Sequence, residues 1–300
     1  MMTYLCVIAT LMGMVGLSLA LMFAYPKTRE GARTVWKSFW PWFIMAPLVI
    51  GVIALPREAF IVFLFLLSIC AVKEFSRATG LYQDWFFMSA IYLGIGGIYA
   101  SVFFNWYGLF VAMPVYMLAV IFMIPIFRNE YQSMLQKIAL SCIAFIYLGW
   151  FLAHLGFVGE FAQRSTLLLF IIFGTELNDA AAYITGKLFG KTPLVPNVSP
   201  KKTIEGFIGS LVITSLYVFF MRHTLPDFTP AMLILSTMII WLGGTMGDLV
   251  ISFIKRDIGI KDMGKLIPGH GGLLDRVDSL IFVSPLYFHL LNYFIGFTTR

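Results

Sequence analysis

From Ser252 to Asp278 the chain reads SFIKRDIGIKDMGKLIPGHGGLLDRVD, a stretch whose residue types can handle phosphate and a metal ion. Lys255, Arg256, Lys261, Lys265 and Arg276 supply cationic groups, and Asp257, Asp262, Asp275 and Asp278 supply carboxylates. Asp275 and Asp278 are three apart, which places both on one face of a helix. Carboxylates that share a site repel unless a proton or cation intervenes, and Mg²⁺ with bound phosphate is the usual hard-cation solution. Between the charged groups lies Pro268-Gly269-His270-Gly271-Gly272, whose glycines let backbone N–H groups converge on an anion. His270 can serve a phosphate as donor or acid, and a structural hydrogen bond explains a lone histidine equally well. Upstream, Asp248 closes a glycine-rich run, and Ser252 and Lys255 follow it four and seven residues later on one helical face. Asp248 can pair with a basic loop residue, or bind a metal while Lys255 and Arg256 hold phosphates.

A second polar group lies earlier, at Glu176-Leu177-Asn178-Asp179, inside an apolar run. Ionisable side chains at membrane depth cost about 2.5–3.5 kcal/mol each, so they face a cavity or a partner. Glu176 serves equally well as an interhelical lock; Asn178 and Asp179 read as a site because a basic segment follows them. That segment runs through Lys187 and Lys191 to Ser199-Pro200-Lys201-Lys202-Thr203 and Glu205. Lys201 and Lys202 precede a helix whose free N–H groups also attract anions, and Ser199 or Thr203 can cap it, with Pro200 near its first turn.

The elements that position these groups are transmembrane helices. The 300 residues are 60% hydrophobic and only 12% charged, against about 25% charged in soluble domains. Such a chain is an all-α, polytopic integral membrane protein. Cys6, Cys70 and Cys142 each lie in an apolar run without metal-ligand spacing, which reads as buried thiols and not a disulfide framework. Hydropathy predicts ten spans: 3–25, 39–55, 59–76, 84–104, 106–127, 135–157, 165–189, 203–222, 230–256 and 277–297. The first lacks a basic leader and reads as a retained helix. Only Pro56-Arg57-Glu58 separates the second and third, which can instead form a hairpin that does not cross fully. With ten crossings, 17 of the 21 Lys and Arg residues fall in loops on one side. By the positive-inside rule that side is cytoplasmic, and every charged motif faces it. Residues 1–158 form an N-terminal multispan region poor in polar groups, and 159–300 a helical region carrying the motifs, together one membrane domain.

The stretch Ser252–Asp278 resembles the signature of the phosphatidate cytidylyltransferase (CDP-diacylglycerol synthase) family: S-x-apolar-K-R, K-D, then P-x-H-G-G-x-x-D-R-x-D. Asn178-Asp179, Ala182-Tyr183, Gly190-Lys191, Ser199–Thr203 and Glu205-Gly206 resemble that family's other shared block. Ile204, where many members have Trp, and Ser210, where a second Gly is common, are local departures. The resemblance implies Mg²⁺-dependent condensation of CTP with phosphatidate, giving CDP-diacylglycerol and pyrophosphate, with K⁺ as a candidate second cation. It implies metal ligands at Asp248 and Asp275, with Asp179 and Asp278 as further cation ligands or orienters of Lys and Arg. Lys255, Arg256, Asn178, Lys201, Lys202, Lys261, His270, Gly271, Gly272 and Arg276 would then hold the triphosphate and the lipid phosphate.

The expected partners are CTP, a lipid phosphate and membrane lipids, with no nucleic acid; a homodimer is allowed. The expected location is a bacterial inner membrane with the site facing the cytoplasm. Competing readings are a CTP-dependent polyprenol or lipid kinase, a cytidylyltransferase for another lipid phosphate, and a cation- or proton-coupled transporter. The transporter is disfavoured because the charges gather at one face, not the midplane.

Overall fold

A computed structural model describes residues 42–161, 163–264 and 272–296. The predicted span 3–25, Cys6 and the residues from Lys265 to Gly271, which include His270 and Gly271, lie outside the described residues. Within them the chain is helical apart from one small hairpin. The helices are α1 (Trp42–Ala54), α2 (Arg57–Thr79), α3 (Trp85–Phe103), α4 (Tyr107–Arg128), α5 (Met134–Val158), α6 (Arg164–Phe189), α7 (Ile204–Met221), α8 (Pro230–Asp257) and α9 (Leu274–Phe294). Among the described residues seven helices, α2 to α8 (with the short 3₁₀ turn that extends α7), are long and apolar enough to cross a membrane.

The boundaries follow the sequence expectation within a few residues. The run predicted as a span over 39–55 is described as a helix of 13 residues. At 1.5 Å per residue those described residues rise about 20 Å, and residues 39–41 of the run lie outside the described residues. Pro56 ends it, because a proline disfavours helical backbone in the residue before it, and α2 restarts at once.

Two helices change winding midway. α5 contains a π-helical segment, Ile143–Phe151, and α8 another, Ile239–Gly243. The buried face of α2 carries Phe60, Ile61, Leu64, Ser68, Ala71, Val72 and Phe75, a helical spacing that packs it on α3 and α5. Many residues of α4 face outward, among them Val115, Tyr116, Phe122, Ile126 and Phe127, as a lipid-facing helix requires. Cys70 and Cys142 are free thiols.

The loops sort into two ends. At one end Arg57 donates to the Phe103 and Val102 carbonyls at 3.1 and 2.6 Å and pairs with Glu160. Arg164 donates to the Ile53 and Leu55 carbonyls at 3.1 and 2.6 Å. These two arginines satisfy the last carbonyls of α3 and α1 and complement the negative ends of those helices. At the opposite end Asp84 holds Arg128 and Lys137, each at 2.8 Å. That second end also carries the hairpin and both charged motifs.

Candidate active site

α8 delivers Asp248 to this end. Its π segment leads directly into Gly244–Asp257, and such an insertion re-aims every side chain after it, a device frequent at functional sites. A Cβ on Gly247 would stand 2.5 Å from the Asp278 carbonyl oxygen and 2.8 Å from the Ser279 Cα. On Gly244 it would lie 3.1 Å from Asn178 Nδ2. Glycine at these two positions lets α8 lie against the backbone of α9 and the polar face of α6. Tyr147, in the π segment of α5, donates to the Gly247 carbonyl at 3.4 Å and closes the back of the junction.

Four carboxylates result, each with defined partners. Asp248 Oδ2 meets Lys202 Nζ at 2.7 Å, and its Oδ1 accepts from Ser252 Oγ at 3.1 Å. Asp179 Oδ2 accepts from Ser279 Oγ at 2.7 Å, and Asn178 Nδ2 reaches its other oxygen at 3.5 Å. Asp278 is buried and accepts the Ser279 N–H at 2.8 Å. Asp179, Asp248 and Asp278 stand close enough to repel one another, with Lys202 and Lys255 offsetting that repulsion. Asp275 Oδ1 meets Lys255 Nζ at 2.8 Å, while its Oδ2 accepts the N–H groups of Met263 and Gly272, both at 3.0 Å.

The segment read as an approach to the eighth span is a hairpin in part. Pro193–Val195 (β1) pairs antiparallel with Ser199–Thr203 (β2), with Pro193 opposite Thr203 and Val195 opposite Ser199. Thr203 caps α7, accepting the Gly206 N–H at 3.1 Å. Ser199 and Pro200 lie in β2 and not at the helix start. Glu205 accepts the N–H groups of Lys191 at 3.1 Å and Thr192 at 3.2 Å, which ties down the base of the hairpin. Arg256 Nε donates to the Val198 carbonyl at 3.2 Å, which ties its tip to the end of α8.

Under the hairpin lies a cavity of about 200 Å³. Asp179, Lys201, Lys202 and Asp248 supply its charged lining, Ser199, Thr203 and Thr245 add hydroxyls, and Tyr183 and Phe207 form its aromatic walls. Of the charged residues singled out from sequence, these four converge on one space. Asn178 does not line it: it is fully buried, accepts from Thr214 Oγ1 at 3.3 Å and orients Asp179. Lys261 is exposed on the loop after α8, away from the cavity lining. Arg276 stands in the first turn of α9 and acts electrostatically on Glu176. The Gly272 N–H, expected to face a phosphate, donates to Asp275. Among the described residues no group of three or more His, Cys, Asp or Glu side chains is arranged to hold a metal. Mg²⁺, however, is commonly held by one or two carboxylates plus substrate phosphates, so oxygen donors such as Asp248 and its neighbours fit it without a closed protein cage.

Sequence reasoning missed Glu74, whose carboxylate accepts the N–H groups of Leu273 and Leu274 at 3.1 and 2.9 Å. It also missed Tyr147 and Ser279. A carboxylate near the end of an apolar run was the available signal for Glu74, but nothing in its surroundings points to a partner so far along the chain.

A model of the cytidylyltransferase family matches residues 36–294. A protein of Escherichia coli (strain K12), YnbB, described as uncharacterized, is 32% identical over 279 residues, 91% of this chain and 92% of its own. Phosphatidate cytidylyltransferase of Staphylococcus haemolyticus (strain JCSC1435) is 40% identical over 166 residues, 53% of this chain and 60% of its own. The protein of the same name in Aquifex aeolicus (strain VF5) is 41% identical over 151 residues, 50% of this chain and 56% of its own. The matches therefore span 60% or less of the length of these two phosphatidate cytidylyltransferases. Because the family match runs from α1 to α9 and takes in the whole lysine–carboxylate site, the chain belongs to the cytidylyltransferase family.

Proposed function

We propose that this integral membrane protein transfers the cytidylyl group of CTP to phosphatidate, forming CDP-diacylglycerol and pyrophosphate. The observation that carries the reading is the convergence of Lys201, Lys202, Asp248 and Asp179 on one cavity at the end where the basic loops gather. The names of the Staphylococcus and Aquifex relatives support the choice of phosphatidate. The basic end faces the cytoplasm of a bacterial inner membrane, where CTP is at hand and the lipid phosphate lies at the interface.

The phosphomonoester oxygen of phosphatidate attacks the α-phosphorus of CTP. The new O–P bond forms as the bond to the β-phosphate oxygen breaks, and pyrophosphate leaves with the electron pair. A phosphomonoester is largely ionised at neutral pH, its second pKa being about 6, so no strong base is needed. The work is positioning and neutralising anions. Lys201 and Lys202 meet the nucleotide phosphates from the hairpin side, and Lys255 meets the phosphate near Asp275. Tyr183 and Phe207 give the base an aromatic surface. Asp248 and Asp275, with Asp179 and Asp278 beside them, are the groups that would hold Mg²⁺. Bound there, Mg²⁺ supplies the charge neutralisation that lets two phosphates approach.

Incubation of the purified protein with α-phosphate-labelled CTP, phosphatidate and Mg²⁺ tests the reading. The expected products are labelled CDP-lipid and pyrophosphate. Release of CDP with a phosphorylated alcohol would establish the kinase reading instead. No nucleotide turnover with any lipid, alongside solute flux in vesicles, would favour a transporter.

A further inference from the structure

We propose that Glu74 is a positioning residue of the active site: from α2 it supplies the N-terminal cap that α9 lacks and so sets where Asp275 stands. The reading of the catalytic readout rests on the proposed cytidylyl transfer; the structural readout does not.

Helix N-termini leave four N–H groups without intrahelical partners, and Ser, Thr, Asp or Asn normally satisfies one of them. α9 begins after Leu273, whose side chain makes no cap hydrogen bond. Its first donors instead reach across the molecule. The N–H of Leu273 meets Glu74 Oε1 at 3.1 Å and that of Leu274 meets Oε2 at 2.9 Å, partners 199 and 200 residues away in sequence. The carboxylate is also enclosed by backbone. A Cβ on Gly264 would lie 2.5 Å from Glu74 Oε1, and one on Gly272 would lie 2.7 Å from Oε2. Two separate points of the polar stretch thus close around one side chain.

That side chain stands on a fixed support. Ala71, Val72 and Phe75, its neighbours on α2, are all fully buried. A site held by a rigid element keeps its geometry better than one held by a loop. Asp275 is the residue next to Leu274, and it takes Lys255, Met263 and Gly272 around one carboxylate. Losing Glu74 would release both donors, fray the first turn of α9 and loosen Asp275 against Lys255. Asp278, one turn on and backed by Gly247, would stay in place. Glu74 also occupies the positive end of α9, which leaves the lysines, and not this helix end, to meet substrate phosphate.

The test uses full-length protein in detergent, as Glu74→Ala and Glu74→Gln, the second keeping shape and one acceptor oxygen should the first fail to fold. In Glu74→Ala, hydrogen exchange at Leu273 and Leu274 should rise while exchange over Pro193–Thr203 stays unchanged. Turnover should fall about 10- to 100-fold, the range for residues that orient metal or substrate ligands. The KM for CTP should change little, because Lys202 and Asp248 are untouched, and the Mg²⁺ needed for half-activation should rise. Glu74→Gln should fall between the two. Unchanged exchange at Leu273 and Leu274 would overturn the proposal, as would faster exchange with unchanged turnover, or a loss of turnover matched by global destabilisation. If the wild-type protein turns over no lipid, the functional reading fails, and the exchange result alone decides the cap.

Discussion

Lys202, from the second strand of the hairpin, and Asp248, from the polar end of α8, meet at 2.7 Å in the lining of the cavity. The pair joins the two sequence motifs into one site, since Lys202 belongs to the first and Asp248 leads into the second. Asp275 has its own lysine, Lys255, at 2.8 Å. Each lysine holds a carboxylate in place, and in the proposed reaction each is a charge that substrate phosphate would draw away from it.

Substitution of either partner should therefore cost activity, and the two losses should not add. Lys202→Ala and Asp248→Asn are each expected to lower kcat/KM for CTP by about 10²-fold or more, the scale for a group acting on developing charge. The double variant should be little worse than Asp248→Asn, because residues in one contact act as a unit. Strict additivity in steady-state kinetics would show that the two work apart.

Arg256→Ala separates a structural from a phosphate role. With its Nε on the Val198 carbonyl, Arg256 ties the hairpin tip to α8. Its removal should speed hydrogen exchange over Pro193–Thr203 and raise the KM for CTP more than it lowers kcat. Unchanged exchange with a lower kcat would assign Arg256 to the reacting phosphates instead.

Gly247→Ala should be severe for its size. The added Cβ would lie 2.5 Å from the Asp278 carbonyl oxygen, so α8 and α9 must move apart. Overpacking of this kind costs about 1–3 kcal/mol, and the shift also parts Asp248 from Asp278. Thermal melting in detergent together with turnover checks it; Gly96→Ala, at a position where an added Cβ meets nothing within 4 Å, is the control expected to melt like the wild type.

Asp84 sets a pH dependence of stability. Burial alone would raise its carboxyl, but Lys137 and Arg128 outweigh that and hold it below the ordinary value of 3.8. The folded state thus favours the ionised form. The contribution is complete above the unfolded carboxyl's pKa of about 3.9 and is lost as pH falls through the lower folded value. Asp84→Asn should melt a few degrees below the wild type at pH 7, with the gap closing in strong acid. A gap that persists there would mean that packing, and not the ion pairs, is responsible.

Much of this protein is legible along the chain. The spans are, because hydrocarbon demands long apolar runs and α2 to α8 meet that demand with bounds close to those predicted. So are the charges that gather at one end, because charge is scarce here and Lys201, Lys202, Asp179, Asp248, Asp275 and Asp278 stand out against oil. The hairpin escaped notice because strands of three and five residues, rich in proline and lysine, are too short to show alternation.

Partnership is what the linear pattern could not carry. Helical spacing tells which residues share a face but not which helix that face meets. That Lys202 takes Asp248, that Asn178 is buried behind Asp179, and that Glu74 caps a helix 200 residues away depend on the order of the helices around the core. They depend also on two π segments that reset the rotation of α5 and α8, and on glycines that let backbones touch. Sequence alone determined a polytopic helical membrane protein with its scarce charges gathered at one end; tertiary packing decided which charge answers which.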